Sequence, residues 1–400
     1  MPAILNYPLF VRATATNFFF FAGMNCFLLL PLYIQGLGGT TAEIGVIMGL
    51  YSFAGIICQP VLGPWVDAFG RRPFMRFGTT AVVATALLAL VTSSMPVLAL
   101  LRLLQGLGFS AFFVANYTMA IDLVPPERRG WALGIYGVSG LCSTAIAPLA
   151  GEWTVRHFGF PWLFLLAAAL SSVAVALVWR IPEQRRRIDA APGRFPALRL
   201  SAGDVLQRHI GITLFFGLGT GAIFTFMPTF AESLGVTTLS LFYTGYAGAA
   251  ALVRVTAGGL IDSRGRRAVI VPSMLVQAMS TAILAALGLL IGPGTPVPVV
   301  PFLFLAGFLA GGAHGFLYPG LAALVTDTTP PARRGAVIGI FSAAVLSGNA
   351  LGAFVFGYVA HWLGYGPMWT ILALILTFGF GLSGKLEEVP ARVRSEVASS

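Results

Sequence analysis

Few residues in this chain carry polar chemistry, and several of them recur at helical spacing. Arg102, Gln105, Phe109, Phe112 and Asn116 fall on one face of a helix, giving a polar and aromatic stripe suited to a water-filled cavity. Gly307, Gly311, His314 and Tyr318 form a matching face further on. An ionisable group inside an apolar run is costly and marks a functional site, so Arg102 and His314 are candidates for ligand binding and proton transfer. Glu152 is a third coupling candidate, at a depth comparable to that of Arg102 on a neighbouring segment. Asn17 and Asn25, then Thr213, Phe216 and Thr220, add polar and aromatic positions on two other segments, while Asn349 and Gln277 read equally as cavity or packing residues. Glu232 reads as a solvent-facing helix end.

These residues do not make an enzyme. His157, His209, His314 and His361 lie in different segments without metal-ligand spacing, and no nucleophile–base set converges on any of them. No phosphate-binding Walker loop is present, so neither ATP-driven pumping nor a cofactor is expected. Cys26, Cys58 and Cys142 sit in apolar stretches as small packing residues.

The elements that position such groups follow from composition. The 400 residues are 57% hydrophobic and 10% charged, with a mean hydropathy of +0.86. Soluble domains carry roughly 25% charged residues. A membrane span needs about 20 mostly apolar residues. Segments of that kind are predicted near 10–34, 42–66, 74–94, 97–121, 131–153, 160–180, 209–232, 238–261, 268–291, 299–325, 335–360 and 366–386. The first of these is expected to stay as a membrane helix, because no cleavage site follows it. Residues 181–208 are a basic linker and 387–400 a tail. With the N-terminus inside the cell, all of the 24 Lys and Arg residues except Arg102, Arg156 and Arg254 fall at the cytoplasmic side. That asymmetry predicts an inner-membrane protein with both termini cytoplasmic. The net charge of +10 is therefore an orientation signal, and nucleic acid is excluded as a partner.

An internal repeat is visible. Gly63-Pro-Trp-Val-Asp67-Ala-Phe-Gly70-Arg71-Arg72 returns as Gly258-Gly-Leu-Ile-Asp262-Ser-Arg-Gly265-Arg266-Arg267, 195 residues later. Asp122-Leu-Val-Pro-Pro-Glu-Arg128-Arg129-Gly130 returns as Asp327-Thr-Thr-Pro-Pro-Ala-Arg333-Arg334-Gly335, 205 residues later. The predicted architecture is six spans in residues 1–180, the linker, and six more spans in 209–386. In each loop glycine serves the tight turn and close helix approach, and Asp67 and Asp262 are expected to pair with nearby arginines in a charge cluster that latches the halves at the cytoplasmic side.

These residues resemble the signatures of the major facilitator superfamily over nearly the whole chain. The Gly63–Arg72 loop is similar to the family's loop between helices two and three, and Gly258–Arg267 to its echo between helices eight and nine. Arg102-Leu-Leu-Gln105-Gly106-Leu-Gly108 resembles the fourth-helix motif. Gly134, Pro148 and Gly151 match the fifth-helix motif of the proton-coupled drug antiporters, while Ser143 and Ala147 replace two of its glycines. The resemblance implies an all-α fold of two six-helix bundles around a central cavity lined by the first, fourth, seventh and tenth helices. It assigns Arg254 to the gate rather than the ligand. It implies a monomeric secondary transporter of a small molecule, expected to be proton-coupled efflux of lipophilic or amphiphilic compounds. Uptake or exchange of a small organic anion, supported by Arg102 and by the absence of a deep carboxylate, is the alternative reading.

Overall fold

The computed structural model describes residues 7–125, 129–182, 210–291, 298–327 and 334–386. Among these residues there is no strand. The chain runs through α1 (Pro8–Gly36, with a 3-10 turn at Phe27–Leu29), α2 (Thr41–Phe69), α3 (Arg72–Ala89), α4 (Met95–Asp122), α5 (Arg129–Phe158) and α6 (Phe160–Trp179). It continues through α7 (Ile210–Ser233), α8 (Ser240–Thr256), α9 (Arg266–Leu290), α10 (Val299–Thr326), α11 (Arg334–Leu363) and α12 (Tyr365–Ser383). The basic linker and the tail fall almost wholly on 183–209 and 387–400, outside the described residues.

Local chemistry starts and stops these helices. Thr40 and Glu43 form a capping box at the start of α2, each satisfying a backbone N–H of the other. Proline occupies the first positions of α1, α3, α4 and α6, where its missing N–H is not needed. Among the described residues, ten helices are long and apolar enough to cross a membrane. α3, with 18 residues and Arg72 and Arg76 in its first turns, and α8, with 17, are the two that fall short. The eighth span was expected over 238–261; instead α8 stops at Thr256, Gly258 and Gly259 follow, and one separate turn covers Leu260–Ser263. Two adjacent glycines leave the backbone without side-chain restraint, and the helix breaks there.

The membrane slab can be located from tryptophan. Trp153, Trp162 and Trp362 are exposed at one end of their helices, and Trp65 and Trp179 at the other. These are the two aromatic girdles of a membrane protein. The end carrying the duplicated loops is called the loop face below, and the other the far face.

The helices pair in two sets with one scheme. In the first set, α4 packs on α2 and α3, α6 on α1 and α3, and α5 on α1. In the second, α10 packs on α8 and α9, α12 on α7 and α9, and α11 on α7. The seam between sets is formed chiefly by α2 against α11 and by α5 against α8. Close approach depends on glycine: a Cβ at Gly106 would collide with the Tyr51 carbonyl, and one at Gly311 with that of Tyr246. Tyr51 and Tyr246 are 195 residues apart, and Gly106 and Gly311 are 205 apart, the same two offsets as the loops.

The core is divided unequally. At the far face one hydrophobic cluster runs across the seam, joining Phe27, Leu30 and Ile34 of α1 and Ile44 of α2 to Phe226 and Phe230 of α7, Phe242 of α8 and Phe356 of α11. Toward the loop face the sets have separate clusters, one around Met75, Phe112 and Met119, the other around Ile270, Leu317 and Phe341. Among the described residues, hydrophobic packing between the sets is thus most extensive at the far face.

Candidate functional site

The duplicated loops do their visible work inside each set. Gly70 has φ of +88° and Gly265 of +89°, a conformation that favours glycine, and each turns the chain into the next helix. Arg71 then pairs with Asp122, and Arg266 with Asp327 through Nε at 3.1 Å and Nη2 at 3.2 Å. Arg72 donates to the Trp179 carbonyl at 2.6 Å, and Arg267 to the Gly384 carbonyl at 2.7 Å, so each second arginine caps the C-terminal end of the set's last helix. These bonds tie α3 to α4 and α6, and α9 to α10 and α12. The acidic and carbonyl partners described for these arginines lie within their own set, whereas the latch between halves was expected to run through Asp67 and Asp262. Among the described residues, nothing lies within 4 Å of where a Cβ on Gly63 would sit. A Cβ on Gly258 would sit 2.8 Å from the Arg254 carbonyl oxygen. The side chains of Asp67, Asp262, Arg129 and Arg334, and residues Arg128 and Arg333, lie outside what the structure describes.

Along α4 the exposed edge is rotated from the expected stripe. Phe109, Phe113 and Tyr117 stack at centroid distances of 5.5 and 5.7 Å and remain partly exposed. Phe109 also meets Tyr51 at 5.4 Å and Phe21 at 5.8 Å. Phe112 is fully buried and stacks on Phe20 at 3.8 Å, and Asn116 is buried, donating to the Ala13 carbonyl and the Tyr136 hydroxyl. Gln105 is buried between Arg102, whose Nη1 donates to it at 2.8 Å, and Thr85. The Arg102 guanidinium lies over the Tyr51 ring at 4.7 Å. Phe112, Asn116, Gln105 and Arg102 are therefore held within the first set. Helical period gives their common face but not which third of the wheel points at the seam.

The second set repeats the ladder. His314 lies against Phe216 at 5.3 Å, Tyr246 at 5.6 Å and Tyr318 at 6.1 Å. Phe224 meets Tyr246 at 5.0 Å. Tyr51, Phe109 and Phe113 of the first set correspond to Tyr246, His314 and Tyr318 of the second at the offsets of 195 and 205. The ladders approach each other across the seam, where Tyr117 comes within electrostatic reach of Tyr318 and Arg254. Arg254 leans onto α5: a Cβ added to Gly137 would sit 2.8 Å from its Nη1. Sequence reasoning missed Phe113, Tyr117, Tyr246 and Gly137. A faint signal existed, since Tyr246 and Tyr51 share the offset of the loops.

Two seams of polar contact complete the picture. Asn25 donates to Ser143 and Thr144, both at 3.1 Å, and Asn17 to Ser139 at 2.9 Å, binding α1 to α5. Ser143, which replaces a motif glycine, is thus a hydrogen-bond partner of α1. In the same helix Gly134 faces open space, Pro148 is buried, and Gly151 is pressed by Leu163 and Leu29. At the far face Glu152 of α5 is only 7% exposed. Its carboxylate accepts from the backbone N–H of Leu239 at 3.2 Å and Ser240 at 2.8 Å, at the N-terminus of α8, and from Arg156 at 2.7 Å. Glu152 was expected beside Arg102; its partners are instead Arg156 and the positive end of a helix from the other set. A cavity of about 510 Å³ adjoins this bond, lined by Gln35, Glu152, Arg156, Glu232 and Val236 among others. No group of residues with metal-binding geometry occurs among the described residues.

Comparison with known proteins agrees with the fold. The chain is 23% identical to the staphylopine export protein of Staphylococcus aureus over 94% of this chain and 95% of that protein. It is 25% identical to the multi-drug resistance efflux pump PmrA of Streptococcus pneumoniae, covering 87% of this chain and 88% of the pump. The crystal structure of the nucleoside transporter NupG superposes with a TM-score of 0.73 at 19% identity, over 95% of this chain and 100% of that one. The family model for the Major Facilitator Superfamily matches residues 13–237 and 210–398. With the same loops, helix pairings and repeat in both sets, the chain belongs to the Major Facilitator Superfamily of membrane transporters.

Proposed function

We propose that the protein exports lipophilic or amphiphilic aromatic small molecules by alternating access. The observation that carries this reading is the pair of related aromatic ladders, Phe109–Phe113–Tyr117 and Tyr246–His314–Tyr318, brought together at the seam. Flat rings hold aromatic or apolar ligands by area and stacking rather than by a fixed hydrogen-bond pattern. In this reading the two sets are six-helix bundles, the loop face is cytoplasmic, and the cleft between the bundles loads from the cytoplasm. The basic residues of the loops support that orientation. Export by the staphylopine and PmrA proteins supports the direction.

Proton coupling belongs to the same reading. His314 in the ladder and Glu152 at the far seam are the titratable groups offered to the pathway. The protein acts as a monomer in the bacterial inner membrane, with both termini in the cytoplasm.

The test is accumulation of a fluorescent lipophilic aromatic probe in inside-out vesicles carrying the protein. Saturable, pH-gradient-dependent accumulation is expected, collapsing on addition of a protonophore. Probe movement that neither saturates nor responds to the gradient rejects the reading, and movement in the opposite direction favours uptake or exchange of an organic anion.

A further inference from the structure

We infer that Arg254, Tyr246 and His314 form the seat for an anionic head group on the transported molecule. The inference rests on the export reading above and specifies the substrate class: an aromatic or apolar body bearing a carboxylate, sulfonate or phosphate.

Three buried polar atoms converge here without a hydrogen-bond partner: Arg254 Nε, Tyr246 Oη and His314 Nδ1. Buried polar groups are nearly always satisfied, so three orphans in one place require an explanation. The groups are neighbours. The rings of Tyr246 and His314 are 5.6 Å apart, and Arg254 is within electrostatic reach of both. Tyr117 from the opposite set and Tyr318 are also within electrostatic reach of the guanidinium. Among the described residues Arg254 has no carboxylate partner. An anion would accept from the guanidinium and the phenol together, which a neutral ligand cannot match.

Arg102, buried in mid-helix and with its own Nε unpartnered, is placed differently. Arg102 has Gln105 and the Tyr51 ring, and lies within the first set. Arg254 instead reaches across the seam, and the bare backbone of Gly137 is what admits it. The head group is thus held mainly by the second set and the apolar body by Phe109, Phe113 and Tyr117 of the first.

The test uses three probes with one aromatic body: 2-naphthoate, 2-naphthalenemethanol and 2-naphthylmethylammonium. Binding is measured on the purified full-length protein in lipid nanodiscs, and counterflow in proteoliposomes. Wild-type protein is expected to prefer naphthoate over the alcohol by about tenfold or more, the range for a hydrogen bond to a charged group. Arg254→Gln removes that preference while changing alcohol binding less than about twofold, and Tyr246→Phe reduces it in part. Arg254→Lys, which keeps the charge, retains part of the preference and guards against misfolding of the glutamine variant. Equal binding of naphthoate and alcohol by wild-type protein overturns the inference while leaving the export reading intact. So does an undiminished preference in Arg254→Gln. If none of the three probes binds, the aromatic cleft itself is wrong, and both readings fall.

Discussion

At the scale of the residue, the rings of α4 and α10 take their direction from the helices packed against them rather than from their own spacing. Arg102, Phe109, His314 and Tyr318 were visible as polar or aromatic groups at helical spacing. Phe113 and Tyr117 were not, because a 3.6-residue period fixes the angle between side chains and leaves the phase of the wheel to the neighbouring helices. The family resemblance assigns Arg254 to the gate; the structure adds that its guanidinium adjoins Gly137 and lies within electrostatic reach of Tyr117, both more than a hundred residues away in the chain. Gly137 gives the sharpest residue-level prediction. A methyl group there would sit 2.8 Å from the guanidinium. Gly137→Ala should displace Arg254 and weaken naphthoate binding several-fold, with alcohol binding and expression near wild-type. Unchanged naphthoate affinity would show that the guanidinium does not need this path. The coupling residues can be examined at the same scale. In a His314→Ala, Glu152→Gln double variant, transport should lose its dependence on the pH gradient; transport that stays fully pH-driven removes both residues from coupling.

Among the elements, the loops were legible and the far-face bond was not. Glycine at a positive φ, arginines after it and an acid at the end of the following helix are local features with a fixed spacing, so Gly70, Arg71 and Asp122 could be found by repetition alone. Glu152 binds backbone N–H groups of α8, 87 and 88 residues away, and a backbone donor leaves no mark in a sequence. The bond has consequences for α8. It satisfies two free N–H groups of that helix and sets a negative charge at the positive end of its dipole, together worth about 1–2 kcal/mol. It also joins α5 to α8 across the seam. Glu152→Gln should therefore loosen closure of the far face by roughly 5- to 30-fold in the conformational equilibrium. Labelling of a Val236→Cys reporter from the far side, in a background lacking Cys26, Cys58 and Cys142, should accelerate accordingly. The loop arginines make the opposite prediction. Because Arg71–Asp122 lies within one set, Asp122→Asn should slow turnover by disturbing the α3–α4 unit without altering probe affinity at equilibrium; a parallel loss of affinity would argue against that separation.

For the whole molecule, the decisive feature is that one seam serves two different ends. The two sets share a pairing scheme, and the repeat offsets of 195 and 205 that reveal it hold from the loop arginines to the Tyr51–Gly106 and Tyr246–Gly311 contacts in mid-membrane. In the proposed alternating-access cycle, rocking of the two sets would have to part α2 from α11 and α5 from α8. At the far face this seam is packed to contact: a Cβ at Gly45 of α2 would overlap the Ala353 carbonyl of α11, with Gly357 Cα only 2.9 Å away. Backbone cannot yield as a flexible side chain does, and overpacking of this kind costs about 1–3 kcal/mol or more. Gly45→Leu should thus leave each set folded but penalise the state in which the far face is shut. The expected result is a protein of near-normal thermal stability that labels rapidly at Val236→Cys, binds naphthoate from the far side, and fails to turn over. The internal contacts of the first set do not pass through the Gly45–Ala353 contact, so a gross loss of stability would mean that the sets do not fold as separate bodies. Wild-type transport in this variant would mean that the far face need not close along α2 and α11, and rocking of two rigid sets would have to be abandoned as the mechanism.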